Sequence, residues 1–266
     1  MTTRTLLVGC GRLGLRVGEL LLDDQDERGR HEVLGLRRDP SSLPPGFVPV
    51  PADLSAALPT PLARVDAMVI TLTPSAVPSY RESLAHLAAA LPEVPRRTVF
   101  VSSTRVLEGY DASRPLTEAD PARPRSDRAR VLIEGEETAR ELFGAVILRP
   151  AGIYGPGRDR LIRTVLEGRP VEHGRRTNRI HEADLARAIL ALLSSPAPPA
   201  LLHAADGAPA LLGEVVTHLA RRLEVPVPPR ASPDPGAGTV LDATALRDLL
   251  GELEVPNFRA GYDAML

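Results

Sequence analysis

The sequence predicts an α/β protein, a doubly wound parallel sheet followed by a smaller C-terminal lobe. Three observations predict it. Short β-type runs alternate with helical stripes over the first 150 residues. Those runs are almost continuously apolar, as strands covered on both faces must be. A glycine-rich turn, Gly9-Cys10-Gly11-Arg12-Leu13-Gly14, joins the first run to the first stripe.

The elements follow in order. Residues 5–8 form a buried strand, and Leu13, Val17, Leu20 and Leu21 then recur at helical spacing. Residues 32–36 are a second strand and 47–50 a third, weakened by prolines that cannot donate to a sheet ladder. Residues 66–72 are a fourth strand. Tyr80, Leu84, Leu87, Ala88 and Leu91 mark a helix that stops before Pro92, with Tyr80 on its core stripe. A fifth strand at 98–102, a long charged helix at 129–143 and a sixth strand at 145–148 complete the sheet. Handed crossovers make this order doubly wound. After Pro150 helical patterns dominate (159–166, 183–193, 212–223 and 243–250), with a short strand at 201–204 and a proline-rich loop at 225–238.

Composition narrows the function. A hydrophobic fraction of 43% and a charged fraction of 25% are those of an ordinary globular protein. The net charge of −2 argues against nucleic acid or an anionic membrane as partner. No apolar run is long enough for a signal peptide or a membrane span, and a lone cysteine suits a reducing cytoplasm. The histidines show no metal-ligand spacing, so no metal is expected, and no G-x-S-x-G elbow supports a hydrolase.

The turn carries the chemistry. Gly9 permits the tight turn, Gly11 lets a pyrophosphate approach the backbone, and Gly14 lets the helix pack on the strand. Unpaired N–H groups and the positive end of the helix dipole then face the phosphates, with Arg12 and Leu13 in the first turn. This pattern between a strand and a helix predicts a Rossmann-type NAD(P) site. The second strand ends in Leu36-Arg37-Arg38-Asp39. Two guanidiniums favour the 2′-phosphate of NADP, whereas Asp39 keeps NAD open.

Further segments resemble the extended and atypical short-chain dehydrogenase/reductases, the NAD-dependent epimerase/dehydratase group. Ala52-Asp53-Leu54 resembles the segment that contacts adenine after the third strand. Val101-Ser102-Ser103-Thr104-Arg105-Val106 resembles the fifth-strand segment. Leu148-Arg149-Pro150-Ala151-Gly152-Ile153-Tyr154-Gly155-Pro156-Gly157 is similar to the L-R-P-x-x-[VI]-Y-G-P-G signature. Arg179-Ile180-His181-Glu182-Ala183-Asp184-Leu185-Ala186 resembles H-V-x-D-[VL]-A, and Leu202-His203-Ala204-Ala205-Asp206 the start of the small lobe. The resemblance implies a cofactor domain over 1–150 and a mainly substrate-side lobe over 151–266, with about 178–195 returning to the core. It further implies that Asp53, Leu54, Thr71, Leu72, Ser102, Pro150 and Ile153 line the cofactor. Ser103 takes the place of the active Ser/Thr, and a homodimer is the family's usual assembly.

One departure stands out. Enzymes of this group transfer protons through a Tyr-x-x-x-Lys pair, but every one of the 32 Lys-plus-Arg positions here is arginine. The corresponding helix, Ser126-Asp127-Arg128-Ala129-Arg130-Val131-Leu132-Ile133-Glu134-Gly135-Glu136, has no tyrosine either. Loss of a positioned base costs about 10²–10⁴-fold. Ser103 alone is a poor base. Tyr110, four residues before Arg114, is the candidate proton donor, although its Gly/Asp/Ser/Pro surroundings do not fix a helical face. Glu134, Glu136 and Glu137 read as a solvated helix face, Tyr154 as packing between lobes, and Cys10 as small filler. Two functions remain. One is an oxidoreductase, epimerase or dehydratase on a small polar or nucleotide-linked substrate, and the other is a non-catalytic NAD(P)-binding sensor or scaffold.

Overall fold

The computed structural model describes residues 2–24, 31–111, 113–232 and 238–266. Met1 and residues 233–237 of the loop read at 225–238 lie outside the described residues. The chain divides into two compact units. One comprises Met1–Ser103, Ser126–Arg149 and Ala186–Leu202; the other comprises Thr104–Arg125, Pro150–Leu185 and His203–Leu266.

The first unit is built on the central sheet. The strands of that sheet are β1 (Thr3–Val8), β2 (His31–Arg37), β3 (Phe47–Pro51), β4 (Ala67–Ile70), β5 (Arg97–Val101), β7 (Val146–Pro150) and β11 (Leu201–Ala204), of which only Pro150, His203 and Ala204 belong to the second unit. They lie in the order β11-β7-β5-β4-β1-β2-β3, a parallel seven-stranded sheet. The α/β doubly wound class expected from the sequence is the one observed. Because side chains alternate along a strand, each strand feeds two cores. Leu6, Val8, Leu34, Leu36, Met68, Ile70, Phe100 and Ile147 share one cluster with Tyr80, Leu84 and Leu87 of α2 (Tyr80–Ala90) and with Ala139 and Phe143 of α3 (Asp127–Phe143). On α1 (Arg12–Asp23), the bare Cα of Gly18 lies so close to the Phe47 ring that a Cβ there would collide with it, and that Cβ would meet Leu7 Cδ1 at 3.0 Å. The prolines of β3 are tolerated because the strand is the sheet edge, pairing only with β2, in a register that sets Pro49 opposite Gly35.

Helix ends follow their sequence signals. Ser79 caps α2 by accepting from the Glu82 N–H, and Ser126 caps α3 by accepting from the Ala129 N–H. Gly144, at φ +57°, ends α3 in the left-handed conformation that favours glycine.

The second unit has its own core and only small sheets. Strand β6 (Pro115–Leu116) pairs with β13 (Val240–Leu241), β8 (Gly152–Tyr154) with β10 (Arg179–His181), and β9 (Arg176–Thr177) with β12 (Ala210–Leu211). Helices α4 (Arg160–Leu166), α6 (Leu212–Arg222), α7 (Thr244–Leu250) and α8 (Phe258–Asp263) surround them, while α5 (Glu182–Ser194) begins here and runs into the first unit's share of the chain. Tyr154, Val165, Val215, Val216, Leu219, Phe258 and Tyr262 form the core cluster. The expectation that Tyr154 packs between lobes is therefore corrected. Its ring lies 4.9 Å from that of Tyr262, and its hydroxyl donates to the Asn257 carbonyl at 3.1 Å, both supplied by the C-terminal segment. Buried Asp184 ties that segment down by accepting from the Glu254 and Val255 N–H groups at 2.9 and 3.0 Å.

Candidate cofactor site

In the sheet order, β1 is flanked by β4 and β2, so the chain reverses direction across the sheet there. Open α/β sheets bind ligands outside the strand ends at such a reversal. Gly9–Gly11 leave β1 at this point, and Thr71 and Leu72 leave β4 beside them. The Thr71 N–H donates to the Val8 carbonyl at 2.9 Å, and its hydroxyl donates to the Gly9 carbonyl at 2.8 Å. The turn is thus clipped from the neighbouring strand. Gly9 has φ +73°, and a Cβ on it would lie 2.7 Å from Leu72 Cδ2. Backbone strain and close approach both require glycine there.

Gly9 and Gly11 act as the sequence pattern implies, and Gly14 does not. A Cβ at Gly11 would meet only the Gly9 carbonyl, at 3.7 Å, so its bare backbone opens onto space that a phosphate can enter. A Cβ at Gly14 would meet Cys10 Sγ at 3.5 Å, an ordinary contact. The close packing assigned to Gly14 belongs instead to Gly18, one helical turn further on.

Gly11 also caps α1 with extended backbone and no side-chain hydrogen bond, and no acidic residue occupies the first turn. The N–H groups of the first turn, at Leu13 and Gly14, thus meet no side-chain cap from Gly11, and no carboxylate of that turn offsets the dipole's positive end. A cavity of about 310 Å³ opens here, lined by Gly9, Gly11, Arg37, Arg38, Asp53 and Leu54 among others. The Arg37 guanidinium donates to the Cys10 carbonyl at 3.4 Å, which holds it against the glycine turn. Arg38 is exposed beside it.

The acidic groups of the cavity stay ionised. Hydrogen bonds from Ser41 hold the Asp39 carboxyl below its ordinary value, and hydrogen bonds from Ser55 do the same for Asp53. Asp39 accepts from the Ser41 N–H at 3.0 Å, so one of its oxygens is already occupied. Leu54 also belongs to the core cluster, and its carbonyl meets the His86 ring at 3.1 Å. Burial pushes the Cys10 thiol up to about 11, with Arg37 opposing. At neutral pH it is an un-ionised side chain of the interior, as expected of filler rather than of a nucleophile.

A second feature of this unit escapes the sequence reading. Glu136 and Arg149, both buried, form a forked ion pair, Nε to Oε1 at 2.8 Å and Nη2 to Oε2 at 2.6 Å. The Ser102 hydroxyl donates to the same Glu136 oxygen at 2.6 Å. Glu134 in turn accepts from the Ser79 hydroxyl and the Arg81 N–H at 3.1 and 3.0 Å. The expectation of a solvated carboxylate face on α3 is corrected, since only Glu137 of the three is exposed. Two signals pointed to the pair. Glu136 falls on the stripe Leu132, Gly135, Ala139 and Phe143, and Arg149 interrupts a wholly apolar strand. A charge in either place needs a partner.

The candidate catalytic residues occupy both units. Ser103 is half-buried and ends the first unit's leading segment. Tyr110 belongs to the second, where its hydroxyl donates to the Pro121 carbonyl at 2.9 Å and the Arg123 guanidinium lies 4.2 Å from its ring centre. Arg114 forks onto Asp120, with Nη1 to Oδ2 at 3.0 Å and a second bond from Nη2 to Oδ1. Its charge is thus shared with a carboxylate held well below the usual range by that contact. In the second unit Pro150 accepts from the Thr104 hydroxyl at 3.3 Å, and Ile153 pairs with Ile180 between β8 and β10. Among the described residues no group of three or more His, Cys, Asp or Glu could hold a metal ion, and no helix is long and apolar enough to cross a membrane.

No family model matches this chain, and no curated protein does. Solved structures do match along nearly its whole length. A protein assigned to the NAD-dependent epimerases/dehydratases, from Methylobacillus flagellatus, is 28% identical with a TM-score of 0.81, over 99% of this chain and 97% of its own. MoeE5, solved with UDP-glucuronic acid and NAD, is 21% identical with a TM-score of 0.77, over 98% of this chain and 96% of its own. UDP-glucuronic acid 4-epimerase from Bacillus cereus, also solved with UDP-glucuronic acid and NAD, is 16% identical with a TM-score of 0.75, covering 99% and 98%. The structural neighbours of this chain are thus NAD-dependent epimerases and dehydratases, and it shares their Rossmann-like fold.

Proposed function

We propose that this protein is an NADP-dependent oxidoreductase or epimerase of the epimerase/dehydratase group, acting on a small polar or nucleotide-linked substrate. The observation that carries the cofactor half is the cavity at the glycine turn, where an uncapped helix N-terminus and two arginines converge. Arg37 and Arg38 would grip the 2′-phosphate with forked hydrogen bonds, while the Ser41 contact leaves Asp39 less free for a ribose hydroxyl. Asp53 and Leu54 would flank the adenine, and Thr71, Leu72, Ser102, Pro150 and Ile153 the remainder of the cofactor. NAD-bound neighbours keep NAD as the competing cofactor.

The substrate half rests on the neighbours, two of which hold UDP-glucuronic acid. Residues 1–150 would serve the cofactor and 151–266 mainly the substrate. Ser103 would hydrogen-bond the substrate oxygen, and Tyr110 would supply the proton. The same reading expects a cytoplasmic homodimer. A second reading, an NAD(P)-binding sensor or scaffold without turnover, is favoured by one observation: a sequence with no lysine cannot contain the Tyr-x-x-x-Lys pair.

Titration with NADPH and NADH by fluorescence, followed by turnover assays on sugar nucleotides and carbonyl compounds, separates the two. Turnover that falls in S103A and Y110F supports the enzyme, and binding without turnover across a broad panel supports the sensor. Binding of neither cofactor sinks both.

A further inference from the structure

We infer that the second unit carries an oxyanion site on the outward face of α6, built for a phosphate group and independent of the cofactor cavity. A cavity of about 420 Å³ lies there, lined by Glu214, Thr217, His218 and Arg221 of α6, with Arg230 and Arg259 among its other walls. Along α6 these four positions follow at helical spacing, on the side opposite Val215, Val216, Leu219 and Ala220, which enter the core. The site shares no residue with the cavity at the glycine turn.

Charge balance distinguishes this cavity. Among the described residues that line it, Arg221 and Arg259 meet a single carboxylate, Glu214, in a chain whose net charge is −2. That carboxylate is committed, because Glu214 Oε2 accepts the Leu211 N–H at 2.9 Å and closes the start of α6. His218 Nε2 is held by Asp263 Oδ1 at 2.9 Å, and the same oxygen takes Arg222 Nε at 3.1 Å. Asp263 is therefore already shared between an imidazole and a guanidinium. Arg221 has no ion-pair or side-chain hydrogen-bond partner among the described residues. Arg259 is likewise without a carboxylate there, and its guanidinium is stacked over the Phe258 ring at 4.5 Å.

Other arginines of the chain are ion-paired, as in Arg149 with Glu136, Arg158 with Glu182 and Arg175 with Glu172. Two guanidiniums left uncompensated beside one hollow form the arrangement that a tetrahedral oxyanion answers with forked, charge-assisted hydrogen bonds. Stacking on Phe258 orients one fork in advance, so less side-chain freedom is lost when the anion arrives. The Thr217 hydroxyl, in the same wall, can donate a neutral hydrogen bond.

The test uses the whole chain without cofactor. Inorganic phosphate and UDP, the free anion and a phosphate carried on a nucleotide, are each titrated by calorimetry at constant ionic strength against a chloride control. The expected result is saturable binding with Kd on the order of 1 mM or tighter, weakened about tenfold in R221A and about tenfold in R259A. R221K restores charge without the fork and recovers only part of the affinity. UDP binding much more tightly than phosphate marks a nucleotide as the source, and equal affinity marks the free anion. No saturation above the chloride control, or binding undiminished in R221A/R259A, overturns the proposal. Circular dichroism and the NADPH affinity of R221A/R259A stay at parental values if the site is local, so failure here leaves the cofactor reading standing.

Discussion

Buried charge makes the sharpest demands on single residues. Glu136 and Arg149 are nearly fully enclosed, and the Ser102 hydroxyl completes the carboxylate's shell. Removing one partner of such a pair leaves an uncompensated charge and costs about 3–5 kcal/mol. The expected outcome is that E136A lowers stability to urea by that amount, whereas E137A on the exposed side changes it by under about 0.5 kcal/mol. Asp206 makes the opposite demand. Burial raises its carboxyl to about 6, although Arg179 and Arg247 oppose the shift. Since its folded value lies above the unfolded value, the folded state holds the proton more tightly. Its stabilising contribution is full below about pH 4 and is lost as pH rises through about 6. D206N keeps the carbonyl that accepts the Ala208 N–H at 2.9 Å. It should therefore match the parent near pH 4 and exceed it by up to about 3 kcal/mol at pH 7.5, read from urea unfolding at the two pH values. Equal stability at both would remove the role of Asp206 burial.

Within elements, the helices and strands of the first unit were legible because their periodicity reports burial directly. The apolar run Leu6-Leu7-Val8 and Leu13, Val17 and Leu21 of the first helical stripe are buried as read, while Leu20 of that stripe is half-buried. The charged members of those same patterns were misread. Glu136 occupies a core phase of α3, and adjacency in sequence to Glu134 and Glu137 disguised it as part of a solvated cluster. The glycine turn was recognised by its spacing, but spacing cannot say which glycine meets a neighbour. That depends on where Phe47, distant in sequence, places its ring. The structure thus predicts a contrast. G18A forces a Cβ into that ring and should cost about 1–3 kcal/mol, with a lowered melting temperature. G14A meets only ordinary contacts and should leave the fold intact, so that any loss appears in cofactor affinity alone. In the second unit, the pairing of Pro115–Leu116 with Val240–Leu241 and the helix Phe258–Asp263 were not foreseen. Two-residue strands and a six-residue helix are too short to set up a period, and long-range partners hold them.

For the molecule as a whole, the fold and the proposed function rest on different supports. The parallel sheet, its strand order and the opening beside β1 follow from apolar patterning and from crossover handedness, and they agree with the solved neighbours. The proposed chemistry has no such redundancy. It depends on a few polar side chains at strand ends, in a sequence that contains no lysine. A ligand that binds only the folded chain stabilises it by about 2.7 kcal/mol at a hundredfold excess over its Kd. Saturating NADPH should therefore raise the melting temperature, and NADH at equal concentration should raise it less.

The most direct measurement is a fluorescence titration of NADPH and NADH against the parent chain and R37A/R38A. Both cofactors should bind saturably, NADPH more tightly, with the double substitution weakening NADPH at least about tenfold and NADH little. Equal weakening of the two cofactors, or none, would contradict the assignment of Arg37 and Arg38. Absence of binding by either would contradict the cofactor site itself.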